Sequence, residues 1–214
     1  MKKVIIAIVA ISTILVSCKG EKKEKVEVKE EVQVEAAASL NNVDIASSVL
    51  TWKGTKPGGA HDGTVALKEG SLTVENGEVK AGEFVIDMSS IKNLDIKNAE
   101  YAAKLVGHLS NEDFFDVAKY PTSKFVITSV ENTDGKLAVT GNLSIKDVTK
   151  SITIPASISE EGGVTTFKSE IFNIDRADFN VKYGSKKWFD NLKDKFIDDL
   201  VEMSFEVKTN APSL

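Results

Sequence analysis

Few residues in this chain can carry acid–base, nucleophilic or metal chemistry. Two histidines and one cysteine occur among 214 residues. His61 stands beside Asp62, and His108 follows 47 positions later. Two imidazoles with a carboxylate are a donor set that suits a first-row metal. Nothing in the spacing brings these two histidines together, so each is expected to be a structural or ligand-contacting residue, with no metal. Asp113, Asp116, Asp175 and Asp178 could supply a carboxylate pair of the kind glycosidases use. In a chain with 32 acidic residues, turn caps and a solvated face are the expected roles for most of them. A serine or cysteine nucleophile needs a base beside it, and no Gly-x-Ser-x-Gly elbow is present. The glycine-rich run GTKPGGAHDGT, Gly54 to Thr64, lacks the Gly-Lys-Ser/Thr ending and the following helix of a phosphate loop. It is expected to connect two strands at a barrel mouth. No catalytic residue and no cofactor are assigned.

Bulk properties point the same way. Hydrophobic residues make up 42% of the chain and charged residues 28%, enough for a buried core. The formal net charge is −5, which argues against nucleic acid as a partner. A single cysteine excludes an intrachain disulfide.

The elements that would position any site begin after a distinct leader. Lys2 and Lys3 precede an apolar run of 13 residues, Val4 to Val16. A spanning helix needs roughly 20 such residues, so this run has the length of a secretory h-region. Leu15-Val16-Ser17-Cys18 resembles the bacterial lipoprotein lipobox, in which the cysteine becomes the acylated first residue. The resemblance implies a signal peptide over 1–17 and membrane attachment through Cys18. Lys19 is not the aspartate associated with inner-membrane retention in some bacteria, which points to the outer membrane. The expected location is the cell envelope, lipid-anchored. Residues 18–40 are expected to form a charged flexible tether. Lys19 to Glu35 holds five lysines and six glutamates among 17 residues, too little apolar surface to fold alone. Its r.m.s. reach would be roughly 20–25 Å. Val26/Val28 and Val32/Val34 alternate as a strand would, with nothing adjacent to cover them.

From residue 41 to 210 the chain reads as one domain of period-two segments separated by turns. Asn76-Gly77 and Asp134-Gly135 are strong hairpin signals. Phe84, Ile86 and Met88 share one face, and the phase change at Gly82 predicts a bulge or sharp twist there. Phe125 and Ile127 begin another strand. Leu137 to Ile145, Ile152 to Ile158, Val164 to Ile174, Ala177 to Tyr183 and Val201 to Val207 continue the pattern. About eight strands at this spacing predict an all-β antiparallel sandwich or barrel. Two segments depart from it. Asn98 to Leu109 has helical spacing at Ala102, Leu105, Val106 and Leu109. Lys186 to Lys195 is a second helix candidate, with Trp188, Leu192 and Phe189 facing inward. An eight-stranded barrel is wide enough for one small ligand. A fully packed core fits the same alternation.

Three stretches in order resemble the YceI-like family. They are LSNEDFFDVAKYPTSKFVI (Leu109 to Ile127), GKLAVTGNLSIKDVTKSITIPA (Gly135 to Ala156) and FNIDRADFNVKYG (Phe172 to Gly184). The first strands, VDIASSVLTWKGT, resemble the family's start. The resemblance implies an eight-stranded antiparallel lipocalin-like barrel with one or two short helices, one of them laid against an opening. It also implies a polyisoprenoid or other long-chain apolar lipid in the lumen, and often a homodimer. It establishes no reaction. The insert YGSKKWFDNLKDKF, Tyr183 to Phe196, is longer and more charged than the family pattern.

The expected function is that of an envelope lipoprotein, not an enzyme, binding such a lipid for storage, transport or stress protection. Apolar parity assigns Trp52, Phe84, Ile86, Met88, Phe125 and Ile127 to the lumen. The same parity adds Leu143, Ile145, Phe179, Met203 and Phe205. Phe114, with Phe115, is expected to plug the adjacent barrel end or touch the lipid. Two alternatives stand beside this: a filled barrel acting through its surface, and an enzyme acting on an isoprenoid quinone, which would need His61, His108 and a carboxylate at one mouth.

Overall fold

A computed structural model describes residues 24–33 and 41–210. The expected signal peptide and Cys18 lie outside the described residues. The elements are β1 (Val28–Lys29), β2 (Val43–Lys56), β3 (Gly59–Glu75), β4 (Glu78–Asn93), α1 (Ala99–Ser110), β5 (Thr122–Thr133), β6 (Lys136–Ile145), β7 (Val148–Glu161), β8 (Val164–Ser169), β9 (Phe172–Asp175) and β10 (Leu200–Thr209). Every strand pairing is antiparallel, and each of β2 to β7 pairs with the strand after it up to β8. β10 pairs with β2 on one side and with β8 and β9 on the other. β8 and β9 act as one strand broken at Glu170 and Ile171, so the wall is a closed eight-stranded barrel.

Alternation makes the strands two-faced. Phe84, Ile86 and Met88 of β4 are buried, as are Leu137, Val139 and Leu143 of β6. Asn76-Gly77 and Asp134-Gly135 close their hairpins with both residues left-handed, φ 54° and 78°, then 53° and 82°. That is the turn whose twist matches the strands it joins. These two hairpins and the β7–β8 hairpin lie at one end of the barrel. The β2–β3 and β6–β7 turns and α1 lie at the other. Asn98 caps α1 by accepting from the Tyr101 amide at 3.1 Å.

Four expectations are corrected. The β3–β4 register shifts at Lys80, two residues before Gly82, and again at Val65 and Lys68, but carries no bulge at Gly82, which pairs with Leu72. A Cβ on Gly82 would stand 2.8 Å from Ile127 Cδ1, so the glycine is needed for close packing. Ala177 to Tyr183 is not a strand. Asp175 accepts from the Ala177 amide at 3.1 Å and starts a one-turn 3-10 helix, Arg176–Phe179. This local cap overrides the alternation. Lys186 to Lys195 forms turns and a three-residue 3-10 helix, Lys193–Lys195, rather than an α-helix, and Trp188 and Phe189 are about half exposed.

The fourth concerns the segment before the barrel. Residues 24–33 lie along the wall. Val28 pairs with Ile152 and Lys29 with Ser151. Val26 and Val28 pack on the core cluster. The Val26 amide donates to Asn173 O at 2.9 Å. The buried Asn142 amide side chain bonds both backbone groups of Val32, at 3.0 and 2.6 Å. Val26 and Val28 therefore have a cover, supplied by strands more than a hundred residues away, whereas Val32 is exposed and Val34 lies outside the described residues.

Candidate functional site

The barrel is not filled. It holds an outer cavity of about 580 Å³ at the α1 end and an inner one of about 80 Å³ beyond it. Five residues line both: Leu50, Ile86, Leu143, Ile174 and Met203. They form a waist between two chambers. The register explains the layering. Met203 faces Trp52 across β10 and β2, Phe205 faces Leu50, and Phe84 faces Phe125 across β4 and β5.

Trp52, Met88, Ile145 and Phe114 line the outer chamber. Phe84, Phe125 and Phe205 line the inner one, whose wall is entirely apolar. Ile86, Leu143 and Met203 stand at the waist. Two expected lumen residues do not reach either chamber. Ile127 is buried one step further from the mouth, against Gly82. Phe179 is fully buried in the core but sits on the 3-10 helix, where strand parity does not apply. The aromatic floor is continuous: Phe167 lies 6.2 Å from Phe84 and 5.0 Å from Phe205 between ring centroids.

The mouth is tightly held. Leu105, His108 and Leu109 bring α1 over the outer chamber. The turn after α1 carries Phe114, which is buried, and Lys146 donates to Phe114 O at 3.0 Å and Asn180 O at 3.4 Å. Asp116 has φ 48°, as a turn residue, and Asp113 reaches Asn111 through its amide at 3.0 Å. These acids form the turn.

Arg176 was not singled out as a site residue from the sequence, yet it organises the mouth. It is 4% exposed. Its guanidinium donates to Asp198 O at 3.2 Å, Val181 O at 2.8 Å and Ile197 O at 3.0 Å. It also pairs with Asp199 at 3.3 Å and lies 5.7 Å from the Phe114 ring centroid. Burial pulls its pKa down, against the pull of the Asp199 carboxylate. A signal existed: Arg176 is the one arginine among 27 basic residues. A planar five-donor fork does what a lysine cannot.

The two histidines line the same cavity but are separately engaged. His61 Nδ1 hydrogen-bonds Asp95 Oδ2 at 2.9 Å. Burial pushes the Asp95 carboxyl up, but the hydrogen bonds from His61, the Asp62 amide and Asn93 outweigh it and hold it at about 2. His108 is packed edge-on between Phe114 and Tyr183, at 5.0 and 4.7 Å, with Asp113 at 3.7 Å. Among the described residues no three His, Cys, Asp or Glu side chains cluster as metal ligands would. Asp175 and Asp178 are tied to two lysines, Lys25 and Lys187.

The YceI-like domain family matches residues 41–209. Among curated relatives, a UPF0312 protein of Pseudomonas savastanoi pv. phaseolicola is 46% identical over 74 residues, 33% of this chain and 38% of the relative. One from Pseudomonas putida W619 is 36% identical over 101 residues, 47% of this chain and 50% of the relative. The chain thus spans half or less of these relatives' length. Among solved structures, Burkholderia cenocepacia BcnA superposes with a TM-score of 0.63 at 24% identity, over 79% of this chain and 100% of that one. A polyisoprenoid binding domain from Saccharophagus degradans superposes with a TM-score of 0.58 at 16% identity, over 80% and 98%. At these identities the likeness is one of fold.

Proposed function

Because this chain belongs to the YceI-like family, we propose that it is a binding protein that holds a polyisoprenoid or comparable long apolar chain in its lumen. We propose further that it does so in the cell envelope, attached to a membrane through acylated Cys18. The observation that carries the lipid reading is the pair of chambers. The inner one offers only apolar side chains, and the outer one opens to a polar rim. A ligand that fits has a long apolar tail and a smaller polar end. The tail gains roughly 0.8 kcal/mol per CH₂ removed from water and needs no polar anchor inside. An outer chamber of about 580 Å³ lies within the usual range of ligand cavities. The polyisoprenoid-binding description of the Saccharophagus domain supports the ligand class. The separate engagement of His61 and His108 supports binding over catalysis, since neither is placed with a nucleophile. The lipobox-like Leu15 to Cys18 supports the anchor.

Native mass spectrometry on the full chain, purified from membranes and followed by solvent extraction, tests the proposal. A stoichiometric adduct that extracts as a long apolar molecule is expected, together with acyl mass on Cys18. An apo mass that persists after incubation with isoprenoids and fatty-acid derivatives would overturn the lipid reading, and an unmodified Cys18 would overturn the anchor.

A further inference from the structure

Eight large hydrophobic side chains are exposed among the described residues, and five sit at the mouth end. Leu94 follows β4 beside the His61–Asp95 pair, and Tyr101 lies on α1. Tyr183, Trp188 and Phe189 lie on the insert across the opening. Trp188 and Phe189 are 49% and 50% exposed.

The insert that carries them is held. The Ile197 amide donates to Gly184 O at 2.9 Å and closes the loop's neck. The Asp198 amide donates to Thr55 O at 2.9 Å, and Thr55 Oγ1 donates to Asp198 Oδ2 at 2.5 Å. Ser185, fully buried, turns the tip: its carbonyl accepts from the Trp188 and Phe189 amides at 3.2 and 3.0 Å. Two large aromatics are therefore fixed outward on a braced backbone. Lys182 Nζ lies 3.7 Å from the Trp188 ring centroid, and Lys186 Nζ 3.2 Å from that of Phe196. An aromatic ring capped by an ammonium on a long stem suits a headgroup layer, where the ring is half immersed and the charge stays wet.

The opposite end has the reverse character. Its hairpins carry Glu75, Glu78, Glu131, Asp134, Glu160 and Glu161 against two lysines, Lys136 and the Lys80 that pairs with Glu78. An anionic surface would repel that end.

The segment before the barrel points the same way. Lys25 shares Asp175 and Asp178 with Lys187, the residue before Trp188. Cys18 precedes Lys25 by seven residues, a stretch that spans at most about 25 Å when fully extended. An anchor at Cys18 therefore lies within that reach of the corner of the mouth that carries Asp175 and Asp178.

We propose that the mouth end, built from the 184–197 loop with Trp188 and Phe189 and from Leu94 and Tyr101 across the opening, is a docking surface for a phospholipid bilayer. The cavity then opens onto lipid, and an apolar chain enters the lumen without crossing water. The short reach rests on the anchoring proposed above; the docking surface itself does not.

The full chain with Trp52→Phe leaves Trp188 as the sole tryptophan. It is mixed with phosphatidylethanolamine–phosphatidylglycerol vesicles whose acyl chains carry bromine near the headgroup. The mass of Cys18 is read on the same sample, so failure of the anchor is seen separately. A blue shift and loss of most Trp188 emission on vesicles is expected, whether or not Cys18 is acylated. Water-exposed, unquenched emission from protein that floats with the vesicles would overturn the proposal. So would failure to float at all. Shielding of Trp188 that appears without vesicles and grows with protein concentration would assign the surface to a second copy instead. If Trp52→Phe does not fold, the difference between the unaltered chain and Trp188→Phe gives the same reading.

Discussion

Lys25 and Lys187 grip one carboxylate from its two sides. Lys25 Nζ lies 3.0 Å from Asp178 Oδ2 and Lys187 Nζ 3.0 Å from Asp178 Oδ1. Burial raises the Asp178 carboxyl, but the two ammonium groups outweigh it and hold it below the usual carboxylate range. One residue comes from the segment before the barrel and the other from the insert before the last strand, so this carboxylate joins the two.

Asp178→Asn should loosen residues 24–33 from the wall. Limited trypsin digestion reads this at Lys25 and Lys29, which should be cut faster while the barrel stays intact. Because the carboxyl is depressed, the contact is complete above its ordinary pKa and is lost as pH falls through the folded value. Unchanged cleavage would show that β1 pairing alone holds the segment.

Arg176→Ala should lower the unfolding free energy by about 3–5 kcal/mol, since it strips a buried cation from Asp199 and from three carbonyls. Arg176→Lys keeps the charge but not the fork and should recover only part of the loss. Denaturant titration with mouth-loop hydrogen exchange is the measurement. Equal midpoints for Arg176→Lys and the unaltered chain would show that charge, not geometry, holds the mouth.

The Asp95 carboxyl is depressed from 3.8 to about 2. Its contribution is therefore fully present above pH 3.8 and is lost as pH falls toward 2. The pair is near the surface, so about 1 kcal/mol is expected. Asp95→Asn should therefore lower stability near neutrality by about that amount and flatten the stability–pH curve between pH 3.8 and 2, as read by denaturant titration across pH.

Met203 stands at the waist between the chambers. Met203→Trp should close the passage. A long isoprenoid should bind about tenfold more weakly, a loss of about 1.4 kcal/mol. A short amphiphile that occupies only the outer chamber should bind nearly as before. Titration calorimetry with the two ligands separates these outcomes, and equal losses for both would place the long chain elsewhere.

Much of the fold is visible in local sequence. Phe84, Ile86 and Met88 alternate with the less buried Val85 and Asp87 and point inward as alternation requires. Asn76-Gly77 and Asp134-Gly135 adopt the left-handed turn their types favour. The Asn98 cap and the spacing of Leu105 and Leu109 mark α1. Each of these is settled within a few residues by backbone sterics, a cap or a two-residue period. Parity also places nine of the eleven residues it assigns to the lumen on cavity walls.

The exceptions share one cause. Ile127 has the right parity but lies below the floor, and only its depth along the barrel decides that. Phe179 has strand-like neighbours, but the Asp175 cap and the Arg176 bonds to residues 181, 197 and 198 turn the chain into a 3-10 helix. Trp188 and Phe189 read as inward-facing in isolation, yet the neck between Gly184 and Ile197 turns them out. Val28 has no cover in its own neighbourhood and finds one at Ile152.

By itself, then, the sequence determined the strands, the tight turns, the helix and which face of each strand is apolar, because those depend on neighbours in the chain. Tertiary structure alone decided that the apolar faces enclose two chambers rather than a solid core, because the enclosed volume depends on strand number and stagger around a closed barrel. It also decided that a lone arginine braces the mouth and that residues 24–33 lie along the wall. Both rest on partners that the chain brings together only when the barrel closes.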